Sequence, residues 1–531
     1  MPTITRVSGK TCSERILSPS NPEMMKTCLL AFVALAISVG QRVGFAADRP
    51  NIVVMLVDDL GMMDTSVPFI LDAKGSPKRQ PLNDFYRTPN LERLADRGVR
   101  FNQFCAMSVC SPTRVSIMTG QNSARHRVTN WINPVKNNAG PLGPTGWRWE
   151  GLGRNDVTLA RILKSEGYRT IHVGKGHFGP RDSEGADPLN LGFEVNVGGT
   201  SAGQPPSYYG AKSFSSEKVV EQKSSLPGLT AYHGKEIFLT EALTLEANRH
   251  VEDAVRSDRP FFLYFAQYGV HAPFNSDPRF ADHYRESGKP AAAQSFATLV
   301  EGVDKSLGDV WSNLERLGVA QNTMIIFLGD NGSDAPLGDA HSVGSAAPLR
   351  GKKGSHYEGG MRVPFVAAWG ADGGSAAAKT PIAKGTVQTQ MGAVYDLFPT
   401  VLELVGAQCP QGHMIDGTSL RTLFTGRRDE GRGERFLMHY PHAPHRSDYF
   451  TSLRDGRWKL VYHYFPATTS QGGHYELFDL ENDPYEQNDQ SSSRTTELRE
   501  MVALMKVELE RQGALLPRAS ELSGPSLIVM P

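Results

Sequence analysis

The sequence predicts a doubly wound α/β protein, with a large, mainly parallel sheet sandwiched by helices and a smaller C-terminal α+β subdomain. Three observations carry this. Four apolar runs of strand length end abruptly in polar residues, helical patterns lie between them, and shorter alternating runs follow residue 434. Near-continuous apolar runs suit strands buried on both faces of a parallel sheet. Strands alternating with helices suit a doubly wound order.

The first run, Asn51–Val57, ends in Asp58 and Asp59. The second, Tyr168–Val173, leads into Gly174-Lys175-Gly176-His177. The third, Pro260–Phe265, runs on to His271, and the fourth, Thr323–Leu328, ends in Gly329-Asp330-Asn331-Gly332. Helical patterns cover Thr158–Glu166, Glu241–Val255, Ala292–Leu317 and Val394–Val405. Ligands of open α/β sheets bind beyond the carboxyl ends of the strands. Each run delivers Asp, Lys, His or Asn to that edge, which predicts a polar site there.

The stretch 180–235 is rich in Gly, Ser and Pro and reads as long loops above the sheet. Residues 408–434 read as a connection. Thr451–Tyr464 and Tyr475–Leu480 then suggest antiparallel strands, with a hairpin turn at Arg454-Asp455-Gly456-Arg457. Thr495–Gln512 is the expected closing helix. The sequence shows no internal repeat. The expected organisation is a signal segment 1–47, a catalytic domain 48–434 and a subdomain 435–531.

The 531 residues are too many for one small core. Lys+Arg and Asp+Glu both number 56, so no basic field points to nucleic acid and no acidic tail points to a disordered arm. Lys26 precedes an apolar run from Cys28 to Val39, and Gly44-Phe45-Ala46 offers small residues for cleavage. This is the pattern of a secretory signal, too short to span a bilayer. It predicts export, to the periplasm or beyond, with Met24 or Met25 as the start and residues 1–23 as an extension. No later segment is apolar enough to span a membrane. Beyond the signal remain Cys105, Cys110 and Cys409. An odd count in an exported chain reserves one cysteine for chemistry, and Cys110 is the candidate. Cys105 and Cys409 are either a pair or two buried free thiols.

Cys110-Ser111-Pro112-Thr113-Arg114 is the most informative pentapeptide. An apolar-periodic stretch with Val115, Ile117 and Met118 follows and stops at Gly120. This punctuation predicts a short helix with Pro112 at its first position. A cysteine there faces free N–H groups and the positive end of the dipole. Arg114, one turn on, can return a planar fork to an oxyanion. The same spacing also suits a buried cysteine beside a surface arginine.

The pentapeptide, with Thr119-Gly120 downstream, resembles the signature of type I sulfatases. Further blocks resemble that family in order: Gly174-Lys175-Gly176-His177, His271-Ala272-Pro273, Arg350–Gly354 with Tyr357–Pro364, and Glu476–Leu480 with Asp483-Pro484. The likeness runs from about residue 49 to 490. It implies an alkaline-phosphatase-like fold and hydrolysis of sulfate esters. It implies that Cys110 is oxidised to Cα-formylglycine by a formylglycine-generating enzyme. It also implies a divalent cation, usually Ca²⁺ with Mg²⁺ as the alternative, held by Asp58, Asp59, Asp330, Asn331 and the modified residue 110. Hard oxygen ligands suit either ion; adjacent aspartates after a strand also suit a turn or helix cap.

The implied catalytic set is Cys110, Arg114, Lys175, His177, His271 and Lys353. Arg114, Lys175, Lys353 and the metal would neutralise the sulfuryl group. His271 or Lys353 would protonate the leaving alcohol, and His177 would take the proton that lets the modified residue expel sulfate. Glu358 and Arg362 read as structural. Gly176 stands where many members carry Trp, which implies a slightly wider site. A phosphomonoesterase or phosphonate monoester hydrolase on the same fold is the competing reading, and an inactive carbohydrate-binding relative is a third. Trp131, Trp147, Trp149, Tyr208, Tyr209, Tyr440 and Tyr449 either hold a sugar ring or belong to the core. Sulfated polysaccharide fragments are the expected substrate, with His442 and His445 on the leaving-group side.

Overall fold

The computed structural model describes residues 49–215, 226–442, 446–466 and 473–518. The expected signal segment and His445 lie outside the described residues. The large sheet has eight strands: β1 (Asn51–Val57), β2 (Val99–Phe101), β3 (Arg169–Gly174), β4 (Val195–Val197), β5 (Phe261–Gln267), β6 (Thr323–Gly329), β7 (Phe365–Trp369) and β8 (Thr386–Gln388). Their order is β4-β3-β5-β1-β6-β7-β2-β8. Among the described residues, only β7 runs against its neighbours. Val54 of β1 sits opposite Tyr264 of β5 and Ile326 of β6, in parallel register on both sides.

The four long strands match the apolar runs because every residue of β1, β5 and β6 is buried. Alternate side chains serve opposite faces. Val53, Met55 and Val57 pack with Leu263 and Phe265 under three helices: α1 (Pro89–Arg97), α4 (Leu239–Arg256) and α5 (Ala291–Arg316). Ile52, Val54 and Leu56 pack with Phe262 and Tyr264 against α2 (Cys110–Thr119), α3 (Leu159–Ser165) and α6 (Leu397–Val405). Thr158 caps α3 by accepting from the Arg161 N–H at 3.2 Å. The predicted helix from Val394 begins instead as a 3₁₀ turn, Val394–Asp396, before α6.

A second sheet starts at Arg435: β9 (Arg435–Tyr440), β10 (Phe450–Asp455), β11 (Trp458–His463) and β12 (Tyr475–Asp479), all antiparallel in sequence order. The expected hairpin turn lies at Gly456 and Arg457, where Gly456 takes φ 56°. The closing helix, α7 (Thr495–Gln512), covers one face through Leu498, Met501, Val502 and Met505. The other face meets the catalytic side. Phe436, Met438, Phe450, Val461 and Phe478 pack against Met107, Val109, Tyr357 and Met361. Glu358 joins this seam with Lys459 at 3.0 Å, Arg454 at 3.4 Å and Arg362 at 3.7 Å, and Glu486 lies 2.6 Å from Lys459. Glu358 and Arg362 are thus structural, as expected. Cys105 is buried, Cys409 is half-buried, and both are free thiols, so they do not pair.

Two outcomes follow for stability. Lys459→Met leaves Glu358 and Glu486 buried without their shared cation. We expect a loss of about 3–5 kcal/mol, read as a lower denaturant midpoint at unchanged slope. The second concerns acid. Burial lowers His126, His172 and His442 to about 3 and His439 to about 4, from 6.5. Between those values the unfolded chain binds more protons, so stability falls as the pH falls, by up to about 1.4 kcal/mol per group per pH unit. Asp64 and Glu486, raised by burial to about 7, Asp304 and Asp330, raised to about 6, and Asp396, also raised, act in the opposite sense. His356 at about 3, His271 at about 4 and His177, also lowered, join the four histidines and outnumber them. Melting temperatures measured from pH 7 down to pH 4 should decline throughout.

Candidate active site

Helix α2 opens at Cys110, two residues earlier than its proline suggests. Val109 is the extended N-cap, at φ −142° and ψ 162°, and Gly120 closes the helix in the left-handed region at φ 70°. Pro112 sits in the first turn, where its missing N–H has no intrahelical acceptor to lose. All ten residues of the helix are buried. Cys110 therefore stands at the start of a helix walled in on every side.

The carboxyl ends of β1, β3, β5 and β6 bring the other residues to it. Asp58 and Asp59 follow β1, Lys175 and His177 follow β3, His271 follows β5, and Asp330 and Asn331 follow β6. The turns demand unusual backbone. Asp59 and His177 have φ of 63° and 59°. At Gly332 a Cβ would come 2.1 Å from the Gly359 carbonyl, so only glycine lets the β6 loop lie against the Glu358-Gly359-Gly360 segment.

Three acids and three cations interlock here without exposure. Lys175 Nζ donates to Asp58 Oδ2 at 2.6 Å. Lys353 Nζ lies 2.6 Å from Asp59 Oδ1 and donates to Oδ2 at 2.8 Å. Arg114 donates through Nε and Nη2 to Asp330 Oδ2 at 3.0 and 2.8 Å, and through Nη1 to the Lys175 carbonyl at 2.9 Å. Asn331 Nδ2 donates to Asp59 Oδ1 at 2.9 Å. Burial alone would raise Asp59, but the facing His271, Lys353 and Lys175 outweigh it and hold the carboxyl well below its usual range. Burial and the charge of Asp58 raise Asp330 to about 6. Burial works against the charge on Lys353, but Asp59 outweighs it and raises the ammonium above its usual value.

The two histidines differ in role. His177 Nε2 lies 2.7 Å from the Ile132 carbonyl, which can only accept, so Nε2 carries the proton. Nδ1 is then a bare lone pair, 3.4 Å from Cys110 Sγ. Burial, with Lys175 beside it, holds His177 neutral, well below its usual value. His271 Nδ1 lies 2.9 Å from the Ala272 carbonyl, and its Nε2 is 3.5 Å from Asp59 Oδ2. Burial brings His271 down to about 4 against the pull of Asp59. With His271 neutral, the lysines carry the charge balance.

A cleft of about 570 Å³ opens over Cys110, His177, His271 and Lys353. Trp131, Lys136, Gln204, Asp334 and Arg446 complete much of its wall. Arg114 and Lys175 are fully buried behind the carboxylates and are not part of that wall. The fork of Arg114 is thus turned to Asp330 rather than to an incoming oxyanion. Asp334 and Arg446 went unread in the sequence. They form a bidentate pair, with Arg446 Nη2 2.8 Å from Asp334 Oδ2, yet lie 112 residues apart.

Of the seven flagged aromatics, Trp131 faces the cleft. Trp147, Tyr208, Tyr440 and Tyr449 are buried in the core, and Trp149 and Tyr209 pack at its edge. His442 is buried too, bonded to Thr129 Oγ1 at 2.8 Å and to the Ala139 carbonyl at 2.8 Å, so it does not line the leaving-group side. Gly176 does not widen the cleft. It is absent from the wall, and a Cβ there would meet the Thr200 backbone at 3.0 Å.

The acid cluster fits a hard divalent cation. Asp58, Asp59 and Asp330 place carboxylate oxygens within 4.8 Å of one another. Asp58 Oδ1 and Asn331 Oδ1 are buried and have no hydrogen-bond partner. Buried polar atoms are rarely left so, and an all-oxygen donor set suits Ca²⁺ or Mg²⁺.

The Sulfatase family model matches residues 50–407, and that of the N-sulphoglucosamine sulphohydrolase C-terminal region matches residues 352–514. N-acetylgalactosamine-6-sulfatase of Mus musculus is 30% identical over 412 residues, which is 75% of this chain and 70% of that protein. Arylsulfatase A of Homo sapiens is 30% identical over 494 residues, 85% of each. The solved structure of Ps i-CgsB matches with a TM-score of 0.66 at 25% identity, over 87% of this chain and 93% of that one. The chain therefore belongs to the sulfatase family, the sulfuric ester hydrolases.

Proposed function

We propose that this sulfatase cleaves sulfate esters of carbohydrates, with residue 110 oxidised to formylglycine and Ca²⁺ held by Asp58, Asp59, Asp330 and Asn331. One observation carries the reading: the unprotonated Nδ1 of His177 lies 3.4 Å from the side-chain tip of residue 110, on a cleft also walled by Lys353 and His271. A hydrated formylglycine supplies two hydroxyl groups, one to attack sulfur and one whose deprotonation expels sulfate, while the cation supplies positive charge to the sulfuryl oxygens.

His177 is placed to take the proton that restores the aldehyde. Lys353 lines the cleft and keeps its proton, so it serves the developing charge and the leaving oxygen better than the neutral His271. His271, with its Nδ1 proton on the Ala272 carbonyl and Nε2 3.5 Å from Asp59, can give a proton through Nε2 only in its protonated form. Arg114 and Lys175 act one layer back, fixing Asp330 and Asp58. Their charges cancel those of the carboxylates, so a bound divalent ion leaves the pocket positive toward an anionic ester.

A second cleft of about 650 Å³ shares Trp131 and Lys136 with the first and adds Asn137, Tyr440 and Arg518. Together they give room for more than one sugar ring, with an aromatic face and four cations, Lys136, Lys353, Arg446 and Arg518. Ps i-CgsB, a similar fold at TM-score 0.66, has been solved in complex with k-i-k-neocarrahexaose. The same reading has the chain exported behind its N-terminal apolar segment and matured by a formylglycine-generating enzyme. It divides the chain into a catalytic domain 48–434 and a subdomain 435–531.

The test compares kcat/KM for the sulfate and the phosphate ester of one aryl alcohol. We expect the sulfate to be preferred, and a preference for phosphate would overturn the reading. His177→Gln should lower kcat by about 10²–10⁴-fold with little change in KM. Trp131→Ala should raise KM for a sulfated oligosaccharide and leave turnover of an aryl sulfate near normal. Equal losses on both substrates would remove Trp131 from sugar recognition.

A further inference from the structure

A second group of ligand-type side chains lies where the loop carrying Lys353 meets the C-terminal sheet. His356 is three residues beyond Lys353, His463 ends β11, and Glu476 is in β12. One nitrogen of each histidine and one oxygen of Glu476 lie within 4.8 Å of one another, and all three residues are buried. His463 Nε2 is 2.9 Å from Glu476 Oε1, and His356 Nε2 is 3.4 Å from the same oxygen. None of the three lines the catalytic cleft.

The arrangement follows from the sheet register. Val461 of β11 sits opposite Glu476 of β12, and His463, two residues along, shares its face. His356 comes from 107 residues away in sequence and reaches the same point from the other side of the seam.

Hydrogen bonding alone leaves this cluster incomplete. His356 Nε2 is buried and, although 3.4 Å from Glu476 Oε1, makes no hydrogen bond of good geometry. The other nitrogen of His356 is already engaged, 3.0 Å from Ser447 Oγ. Glu476 Oε2 accepts from the Tyr357 hydroxyl at 3.0 Å. The Ser447 and Tyr357 contacts orient His356 and Glu476, with the Tyr357 hydroxyl also 3.3 Å from Glu476 Oε1. Such supporting bonds are what metal-ligating histidines and carboxylates characteristically have. The spacing also fits. Four ligands at zinc distances of about 2.0–2.1 Å lie about 3.3 Å from one another in a tetrahedron.

We propose that His356, His463 and Glu476 form a second metal site, for a divalent cation of the zinc class, that ties the Lys353 loop to the C-terminal sheet. Two imidazoles and one carboxylate form a nitrogen-rich donor set, which selects zinc-like ions over Ca²⁺ and Mg²⁺. The acid cluster of Asp58, Asp59 and Asp330 makes the opposite choice, so the two sites can be loaded separately. The bound ion adds a cross-link between segments over 100 residues apart in sequence, and it stabilises the folded chain by mass action.

The test uses the full chain, stripped with a chelator and returned to excess Ca²⁺ so that the acid cluster is supplied with a hard ion. Zn²⁺ is then titrated, bound metal is counted by elemental analysis, and melting is followed. We expect one tightly held zinc per chain and a rise in melting temperature, both kept in Asp59→Asn and both lost in Glu476→Gln and His463→Gln. In wild-type protein, Co²⁺ should give visible ligand-field bands of a nitrogen-bearing, low-symmetry site, a measurement that needs no variant to fold. No zinc retained over Ca²⁺, no such bands, or zinc lost in Asp59→Asn but kept in Glu476→Gln would overturn the proposal.

Discussion

Three buried carboxylates and three buried cations at one sheet edge are the constraint on which the rest of this molecule turns. Asp58, Asp59 and Asp330 face Lys175, Lys353 and Arg114, and almost none of their surface meets solvent. Removing so many charges from water costs several kcal/mol per ion, and the set holds only because each charge meets its opposite in good geometry. Adjacent parallel strands make that possible. β3, β5, β1 and β6 are consecutive in the sheet, so their ends arrive side by side. The cluster is neutral by itself. A divalent cation held there would give it the positive charge that an anionic ester requires, and the two buried oxygens without hydrogen-bond partners, on Asp58 and Asn331, would serve as ligands.

The C-terminal sheet makes this edge rigid. It packs against Val109, immediately before Cys110, and against Tyr357 and Met361. Its Lys459 and Arg454 neutralise Glu358, which begins the segment on which Gly332 rests. Residue 110, the Lys353 loop and the β6 loop are therefore braced from one side by a single seam. A change in that seam would reach the proposed catalytic groups through backbone, without touching substrate.

Much of this was legible from sequence, and the physical reason is periodicity. Buried parallel strands need unbroken apolar runs, and their polar terminators mark the sheet edge, so Asp58, Asp59, Lys175, His177, His271, Asp330 and Asn331 could be placed together before any coordinates. The family resemblance, rather than periodicity, singles out Lys353. Lys352 instead pairs with Asp334 at 3.1 Å. What sequence did not carry was direction. Helical spacing brings Arg114 back to the site but does not say which anion takes its fork, and Asp330 does. Tyrosines and tryptophans suit a core as well as a sugar face; of the seven, Trp131 reaches the wall of the cleft over Cys110 and Tyr440 touches the second cleft from the core. The Asp334–Arg446 pair joins segments 112 residues apart, and no local pattern announces it.

The central claim is that residue 110 acts in an oxidised form in a site built to take its proton. Mass spectrometry of the peptide spanning residue 110, in active protein from its natural host, tests this most directly. The account predicts an aldehyde in place of the thiol side chain, lighter than the cysteine form and reactive toward a hydrazide. An unmodified cysteine in fully active protein would contradict it.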